Sequence, residues 1–462
     1  MSTGGPRNPE DLAREIERLV REYSGQAHGA NAPAGPGSPA FVPGVTPVPY
    51  AGRVFGGDEV AAAVRSALDF WLTLGPEGDA FERELATAIG VSRSILVNSG
   101  SSANLLALSA LTSPKLPAER RLRPGDEVIT CASGFPTTAA PIVQNGAVPV
   151  FLDADPSTGN VDCSGLEEAY APGRTKAVML AHALGNPFDL ARVTAFCRAR
   201  DLWLIEDNCD ALGSRYALPG ESPRWTGSFG DLSTQSFYPP HHITTGEGGA
   251  VNIARDMRFK VIVESFRDWG RDCWCASGKD NTCGKRFAWQ LGDLPEGYDH
   301  KYTYSHLGYN LKPLDVQAAI GRVQLGRLPG FGEARRRNWE YLRSALEPLS
   351  GSFDFMRATP GAEPSWFGFM LLVRDGAPFT AVELSRGLDE KKIGNRRLFG
   401  GNLVRQPAFV QLLRDDPAAF RVVGGLDGAD RLMRSALFVG VYPGLTRPML
   451  DYVVETLHQF AR

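Results

Sequence analysis

No apolar run in this 462-residue chain approaches the roughly 18 to 20 residues that a membrane-crossing helix needs. The opening MSTGGPRNPEDL lacks the basic-then-apolar pattern of a secretory signal, so a cytoplasmic protein is expected. Charge of one sign is not in excess: the formal net charge is −3, which leaves no nucleic acid and no membrane among the expected partners. Seven cysteines, an odd number in a long chain, argue against a disulfide framework. Lysine is missing from the whole stretch between Lys176 and Lys260, so no side-chain amine there can attach a carbonyl compound covalently.

What is present is a globular composition, 43% hydrophobic and 22% charged, in a chain long enough to bury a sizeable core in two or three lobes. DLAREIERLVREY, Asp11 to Tyr23, carries Leu12, Ile16, Leu19, Val20 and Tyr23 on one stripe and predicts an amphipathic helix. The following SGQAHGANAPAGPGSPAFVPGVTPVPY is too rich in Pro, Gly and Ala for a regular element. Residues 1–50 are therefore expected to be a helix and an extended arm. From about Gly56 onward, RSILVNSG, GDEVITCAS, VPVFLDAD, TKAVMLAHA, LWLIEDNCD and GGAVNI read as strands alternating with helical patterns. That alternation predicts an α/β fold, a mostly parallel sheet flanked by helices, over residues 51–330. Residues 331–462, with EARRRNWEYLRSAL, WFGFMLLV and helical patterns around 381–391 and 449–460, are expected to form a smaller α+β C-terminal lobe.

Three local patterns suggest chemistry. LVNSGSSANLLALSAL places a strand, a Ser/Gly turn and a helix, a natural phosphate cup that is also an ordinary N-cap pattern. Neither a Walker lysine nor GxGxxG follows it, which disfavours a nucleoside triphosphate or dinucleotide. LWLIEDNCD ends a strand with Glu206 and Asp207, where a carboxylate either points into the ligand crevice of a parallel sheet or caps the next helix. SFYPPHHITTGEGGAV, Ser236 to Val251, sets His241 and His242 before a Thr/Gly-rich turn.

Taken in order, GDEVITCASGFPTTAAPIVQNGAVPVFLDADPSTGNVD, IEDNCDALGS, TGSFGDLSTQSFYPPHHITTGEGGAV and LGYNLKPLDVQAAIGRVQL resemble blocks of a known family. It is the fold-type-I pyridoxal-phosphate family of sugar aminotransferases and dehydrases, the DegT/DnrJ/EryC1/StrS type, and the resemblance runs from about Tyr50 to the C-terminus. It implies an aspartate-aminotransferase-like fold and a nucleotide-linked 4-keto-deoxyhexose as substrate. By position it implies that Ser101, Ser102 and Ser236 bind the cofactor phosphate, that Phe135 stacks on the pyridine ring and that Asp207 pairs with the ring nitrogen. Asn310, in GYNLKP, would reach the phosphate from the neighbouring subunit, which implies a homodimer with shared sites.

His241 falls where the family's aminotransferases carry the lysine that holds the cofactor. The resemblance thus implies pyridoxamine 5'-phosphate (PMP) retained non-covalently, with His241 as the base at its methylene carbon while hydroxide leaves C3 of the sugar. Histidine suits that role, because its unperturbed pKa near 6.5 allows it to act as a base at neutral pH. This is the pattern of the 3-dehydrases that make 3-deoxy sugars. His242 has no such positional match and reads as packing. His182, Asn186, Arg397, Asn402 and Arg405 have side chains suited to sugar hydroxyls or a diphosphate.

Cys131, Cys163 and Cys197 read as free thiols. Cys273, Cys275 and Cys283 form a C-x-C-x7-C array, and three close thiols in one loop can bind several metals, with zinc the poorer fit. By resemblance to the cluster-bearing 3-dehydrases, Cys209 is the fourth ligand of a [2Fe–2S] cluster. A flavin or a ferredoxin/flavodoxin-type reductase is then the expected electron donor. RYALPGESPRW, between Cys209 and the array, reads as a Pro/Gly-rich loop. The resemblance is nearest to enzymes acting on a TDP-linked 4-keto-2,6-dideoxyhexose, with a CDP-linked 4-keto-6-deoxyhexose as the other expected substrate, since both kinds share these motifs. The alternatives are a cluster-independent dehydrase or aminotransferase-like enzyme using glutamate, and a non-catalytic relative that binds no cofactor.

Overall fold

The computed structural model describes residues 8–28, 40–273, 275 and 281–461. The first helix spans Pro9–His28, so it continues past Tyr23 into the stretch expected to be irregular; residues 29–39 of the expected arm lie outside the described residues. Gly25 interrupts its pattern, but the helix packs on the following helix, Gly57–Leu68, through Arg65–Glu10 and Arg21–Asp58 ion pairs.

Fifteen strands follow among the described residues. In the first half are β1 (Arg93–Val97), β2 (Glu127–Cys131), β3 (Val148–Leu152), β4 (Thr175–Ala181), β5 (Trp203–Asp207), β6 (Arg215–Tyr216), β7 (Arg224–Trp225), β8 (Leu232–Ser236) and β9 (Gly249–Ile253). In the second are β10 (Phe353–Phe355), β11 (Ala362–Glu363), β12 (Gly368–Val373), β13 (Asn395–Arg397), β14 (Arg421–Val422) and β15 (Ala436–Gly440). The large sheet runs β1-β9-β8-β5-β4-β2-β3-β14, and β9 alone runs against its neighbours. Its strands read as unbroken apolar runs because both faces are covered. Ile95, Val97, Val128, Met179 and Ile205 pack into one layer, and Ile129, Val150, Val178, Leu180 and Leu204 into the other.

All six strands read from sequence are present. β8, LSTQS, is polar and carries no apolar signal, yet it is wholly buried. Its Ser233 hydroxyl bonds to the Gly227 carbonyl and its Thr234 hydroxyl to Asn104, whereas the buried Gln235 amide finds no partner among the described residues. RYALPGESPRW is a hairpin rather than a bare loop: β6 and β7 pair with each other, and β11 joins β6.

The second sheet, β10-β12-β15-β13, is antiparallel and carries its own core of Phe369, Leu371, Leu437 and Val439. A 31-residue helix, Asp315–Ala345, links the two parts, and the expected boundary at 330 falls inside it. At one end Gly321 lets that helix press on Phe81, whose ring would lie 2.4 Å from an added Cβ; at the other Leu342 enters the second core. The chain then returns to the first sheet through β14.

Candidate active site

A cavity of about 500 Å³ opens at the carboxyl ends of the parallel strands, where such sheets bind ligands. Its walls bring together Ser101, Phe135, Asp207, Ser236 and His241. These residues are far apart in sequence and meet because each follows or ends a strand of one sheet.

The helix Gly100–Ala110 points its N-terminus into this cavity, with Ser99 capping it by accepting from the Ser102 amide at 3.1 Å. Ser102 does not line the cavity; its hydroxyl faces Ser99 at 2.9 Å. Gly100 is needed for the close approach of this turn to β8. A Cβ there would stand 2.4 Å from the Ser236 Cβ and 3.1 Å from the Cys209 sulfur. Backbone amides, a dipole end and the Ser101 and Ser236 hydroxyls thus surround one corner of the cavity, a cradle suited to a phosphate.

Successive residues of a strand face opposite sides, and this separates Glu206 from Asp207. Asp207 lies at the cavity, accepting from Asn104 at 2.8 Å, from Thr138 at 2.7 Å and from the Cys209 amide at 3.2 Å. Glu206 turns away and accepts from the amides of Gly227, Phe229 and Gly230 and from His182. Burial would raise its pKa, but the His182 bond and these amides outweigh it and hold the carboxyl below its ordinary value. Phe135 caps the helix Pro136–Gln144 and is 54% exposed, a flat apolar face turned to the cavity. A phosphate cradle, a fixed buried carboxylate and an uncovered aromatic face are what a pyridine ring with a phosphate arm requires, so the residues present fit PMP.

His241 sits on the same wall with its Nε2 3.3 Å from Asp210 Oδ1. No lysine lines the cavity among the described residues. Asp210, Asn104, Thr138 and Tyr238 were not singled out from sequence; Asn104 and Thr138 carry no motif signal, because their role is visible only once Asp207 has a position. His242 is buried, its Nε2 2.7 Å from the Ser365 carbonyl oxygen.

Among the residues expected to meet the sugar or its diphosphate, only Arg397 lines the cavity with a nitrogen to spare. Its Nη2 donates to the carbonyls of Met433 and Arg434, and its Nη1 has no partner among the described residues. His182 touches the cavity, but Glu206 and the Phe188 amide take both of its ring nitrogens, and it stacks on Phe188. Asn186 is consumed by Thr158, Arg357 and Thr359, while Asn402 and Arg405 bind Asp430. His182, Asn186 and Asn402 act as framework here, because their polar atoms are taken by the protein, while Arg405 pairs with Asp430 and stays 57% exposed. Asn310 is exposed and lies outside this cavity.

Cys273, Cys275 and Cys283 share a separate small cavity with His300, whose Nδ1 is 3.7 Å from the Cys283 sulfur. Burial raises the Cys275 thiol, but hydrogen bonds from Thr282, the Cys283 backbone and the neighbouring thiols bring it down to about 7. Residues 274 and 276–280 of this loop lie outside the described residues. Cys209 lines the cofactor cavity instead, and burial, with the Asp207 carboxylate beside it, pushes its thiol well up. The four thiols are therefore not gathered at one point, and among the described residues no group of three or more His, Cys, Asp and Glu is arranged to hold a metal ion. Cys163 and Cys197 are buried free thiols and Cys131 is half-buried. No helix of the described residues is long and apolar enough to cross a membrane.

Comparison with known proteins agrees with this geometry. The profile of the DegT/DnrJ/EryC1/StrS aminotransferase family matches residues 56–458. The chain is 50% identical over 450 residues to the lipopolysaccharide biosynthesis protein RfbH of Salmonella typhimurium, covering 97% of this chain and 98% of that one. It is 51% identical over 423 residues to the dTDP-4-dehydro-2,6-dideoxy-D-glucose 3-dehydratase of Saccharopolyspora spinosa, covering 92% and 88% respectively. Among solved structures, the E. coli GDP-4-keto-6-deoxy-D-mannose-3-dehydratase with bound hydrated PLP superposes with a TM-score of 0.77 at 29% identity, over 89% of this chain and 99% of that one.

Proposed function

The chain belongs to the DegT/DnrJ/EryC1/StrS aminotransferase family, and from that premise we propose that it is a nucleotide-sugar 3-dehydratase. Its substrate is an NDP-4-keto-6-deoxyhexose, with a dTDP-linked 2,6-dideoxy sugar favoured by the 51% identity to the Saccharopolyspora spinosa enzyme. The observation that carries the reading is a cofactor cavity with no lysine and with His241 on its wall beside Asp210. That arrangement disfavours an aminotransferase, which needs a lysine to hold its cofactor covalently.

When bound, PMP supplies an amine that condenses with the sugar ketone and a ring that accepts electrons. The Gly100–Ser102 turn and Ser236 hold its phosphate, Phe135 stacks on the ring, and Asp207 accepts the ring N–H. His241 takes a proton from the methylene carbon, and Asp210 stabilises the imidazolium so formed. Arg397, on the cavity wall, would face the sugar or its diphosphate. Asn310 serves the site of a second copy, which makes the working unit a homodimer.

Replacing the C3 hydroxyl by hydrogen consumes two electrons and two protons and releases water. We propose a [2Fe–2S] cluster on Cys209, Cys273, Cys275 and Cys283, fed by an external flavin or ferredoxin-type reductase. The C-x-C-x7-C spacing and the shared cavity of three thiols support it. Cys209 lines the cofactor cavity, apart from the other three thiols. Incubating PMP-loaded enzyme, purified without oxygen, with the dTDP-4-keto-2,6-dideoxy sugar and a reductase tests the function. Loss of one oxygen at C3, read by mass and proton spectra, supports it, and a 4-amino sugar product overturns it. Iron content and turnover with glutamate in place of the reductase separate the cluster-dependent from the cluster-free form.

A further inference from the structure

His242, the second histidine of the pair, is given no part in this chemistry, yet it is 2% exposed and keeps a ring nitrogen without a partner. Its Nε2 lies 2.7 Å from the Ser365 carbonyl oxygen, which can only accept, so Nε2 carries the hydrogen. Burial, reinforced by the Arg335 guanidinium, holds the ring well below its ordinary pKa and therefore neutral. Its Nδ1 is then a bare lone pair, buried and unpartnered among the described residues. Arg335, 1% exposed, donates only to the carbonyls of Trp366, Phe367 and His241, and its Nε–H also has no partner there. The same holds for Nδ1 of His241.

These three residues line one cavity of about 10 Å³, separate from the cofactor cavity and sharing His241 with it. That volume is about one water, and a buried water requires two to four polar partners. An imidazolium at His241 needs acceptors on both nitrogens; Asp210 serves Nε2, and none of the described residues serves Nδ1.

We infer that one buried water, accepting from Arg335 Nε–H and donating to His242 Nδ1, takes the Nδ1–H of His241 and so makes His242 and Arg335 positioning residues for the base. The inference rests on the reading of His241 as that base. No bond is made or broken. The Asp210 carboxylate, an acceptor only, draws the hydrogen to Nε2 while the ring is neutral; the water, by holding Nδ1–H, opposes that tautomer, and it leaves both nitrogens satisfied once the ring is charged. A neutral His242 is essential, because a protonated one would offer the water a donor where it needs an acceptor. Either histidine alone would fit a turn; the pair shares a water.

His242→Gln keeps an N–H for the Ser365 carbonyl and deletes Nδ1. The expected result is a kcat about tenfold lower with the KM of the sugar unchanged, and no further loss when the change is added to His241→Asn. A high-resolution crystal structure of the wild-type holoenzyme is expected to show one water within hydrogen-bonding distance of His241 Nδ1, His242 Nδ1 and Arg335 Nε. A dry or side-chain-filled cavity, or a His242→Gln enzyme with wild-type kcat, overturns the inference while leaving His241 as the base. A His241→Asn enzyme that still turns over overturns the reading of the base itself, and the inference with it.

Discussion

Asp210 Oδ1 stands 3.3 Å from His241 Nε2, and both side chains are only 16% exposed. A carboxylate at that range costs little while the histidine is neutral and is worth most once the ring is charged. Asp210→Asn keeps the shape and removes the charge. The expected outcome is a fall in kcat on the order of 10- to 100-fold with a nearly unchanged KM, measured by steady-state turnover.

Gly100 permits the approach of the helix N-terminus to Ser236. Gly100→Ala forces a Cβ to 2.4 Å from the Ser236 Cβ, and the obstructing atom belongs to a buried strand, so the turn must move. PMP affinity is expected to fall at least about tenfold while the far-ultraviolet circular dichroism stays native, since the strain is local. Titrating PMP against cofactor-free protein measures it.

Asp207 is held by Asn104 and Thr138. Thr138→Val removes one donor at nearly constant volume and frees the carboxylate to turn. A weakening of PMP binding by about 1 kcal/mol, roughly fivefold, is expected, and the double change with Asn104→Ala is expected to exceed the sum, since both donors fix one carboxylate.

Much of this site was legible in the sequence, for identifiable reasons. Strands covered on both faces are apolar throughout, so β1 to β5 and β9 announced themselves, and their carboxyl ends carry Asp207 and the SGSS turn. β8 did not, because its buried side chains are mostly polar, and Ser233 and Thr234 find their partners only in the fold. The side chains that orient others, Asn104, Thr138, Asp210 and Arg335, have no local pattern, since their meaning depends on a neighbour distant in sequence. Polar residues chosen for their chemistry alone, Asn186, Asn402 and Arg405, proved to be bound by the protein. An Asn or Arg in a loop reads the same whether its partner is a ligand or Asp430.

His306 gives a pH dependence independent of catalysis. It bridges the hydroxyls of Ser113 and Ser265 at 2.8 Å each, and burial, with Lys115 nearby, lowers its pKa to about 4. An unfolded histidine protonates near 6.5. Between those values the unfolded chain binds more protons, so this group's contribution is intact above about pH 6.5 and is lost as pH falls toward about 4. In His306→Gln that slope is expected to disappear, so the variant, less stable at pH 7.5, should approach the wild type by pH 4.5 in urea denaturation midpoints.

We propose that a histidine does the proton transfer in a cofactor site without lysine. The most direct measurement is single-turnover C3 deoxygenation by PMP-loaded His241→Asn, with PMP binding followed in the same samples. Native PMP affinity and a rate lowered by about 10²- to 10⁴-fold are expected. Native affinity with an undiminished rate would contradict the proposal, since the proton must then leave by another group.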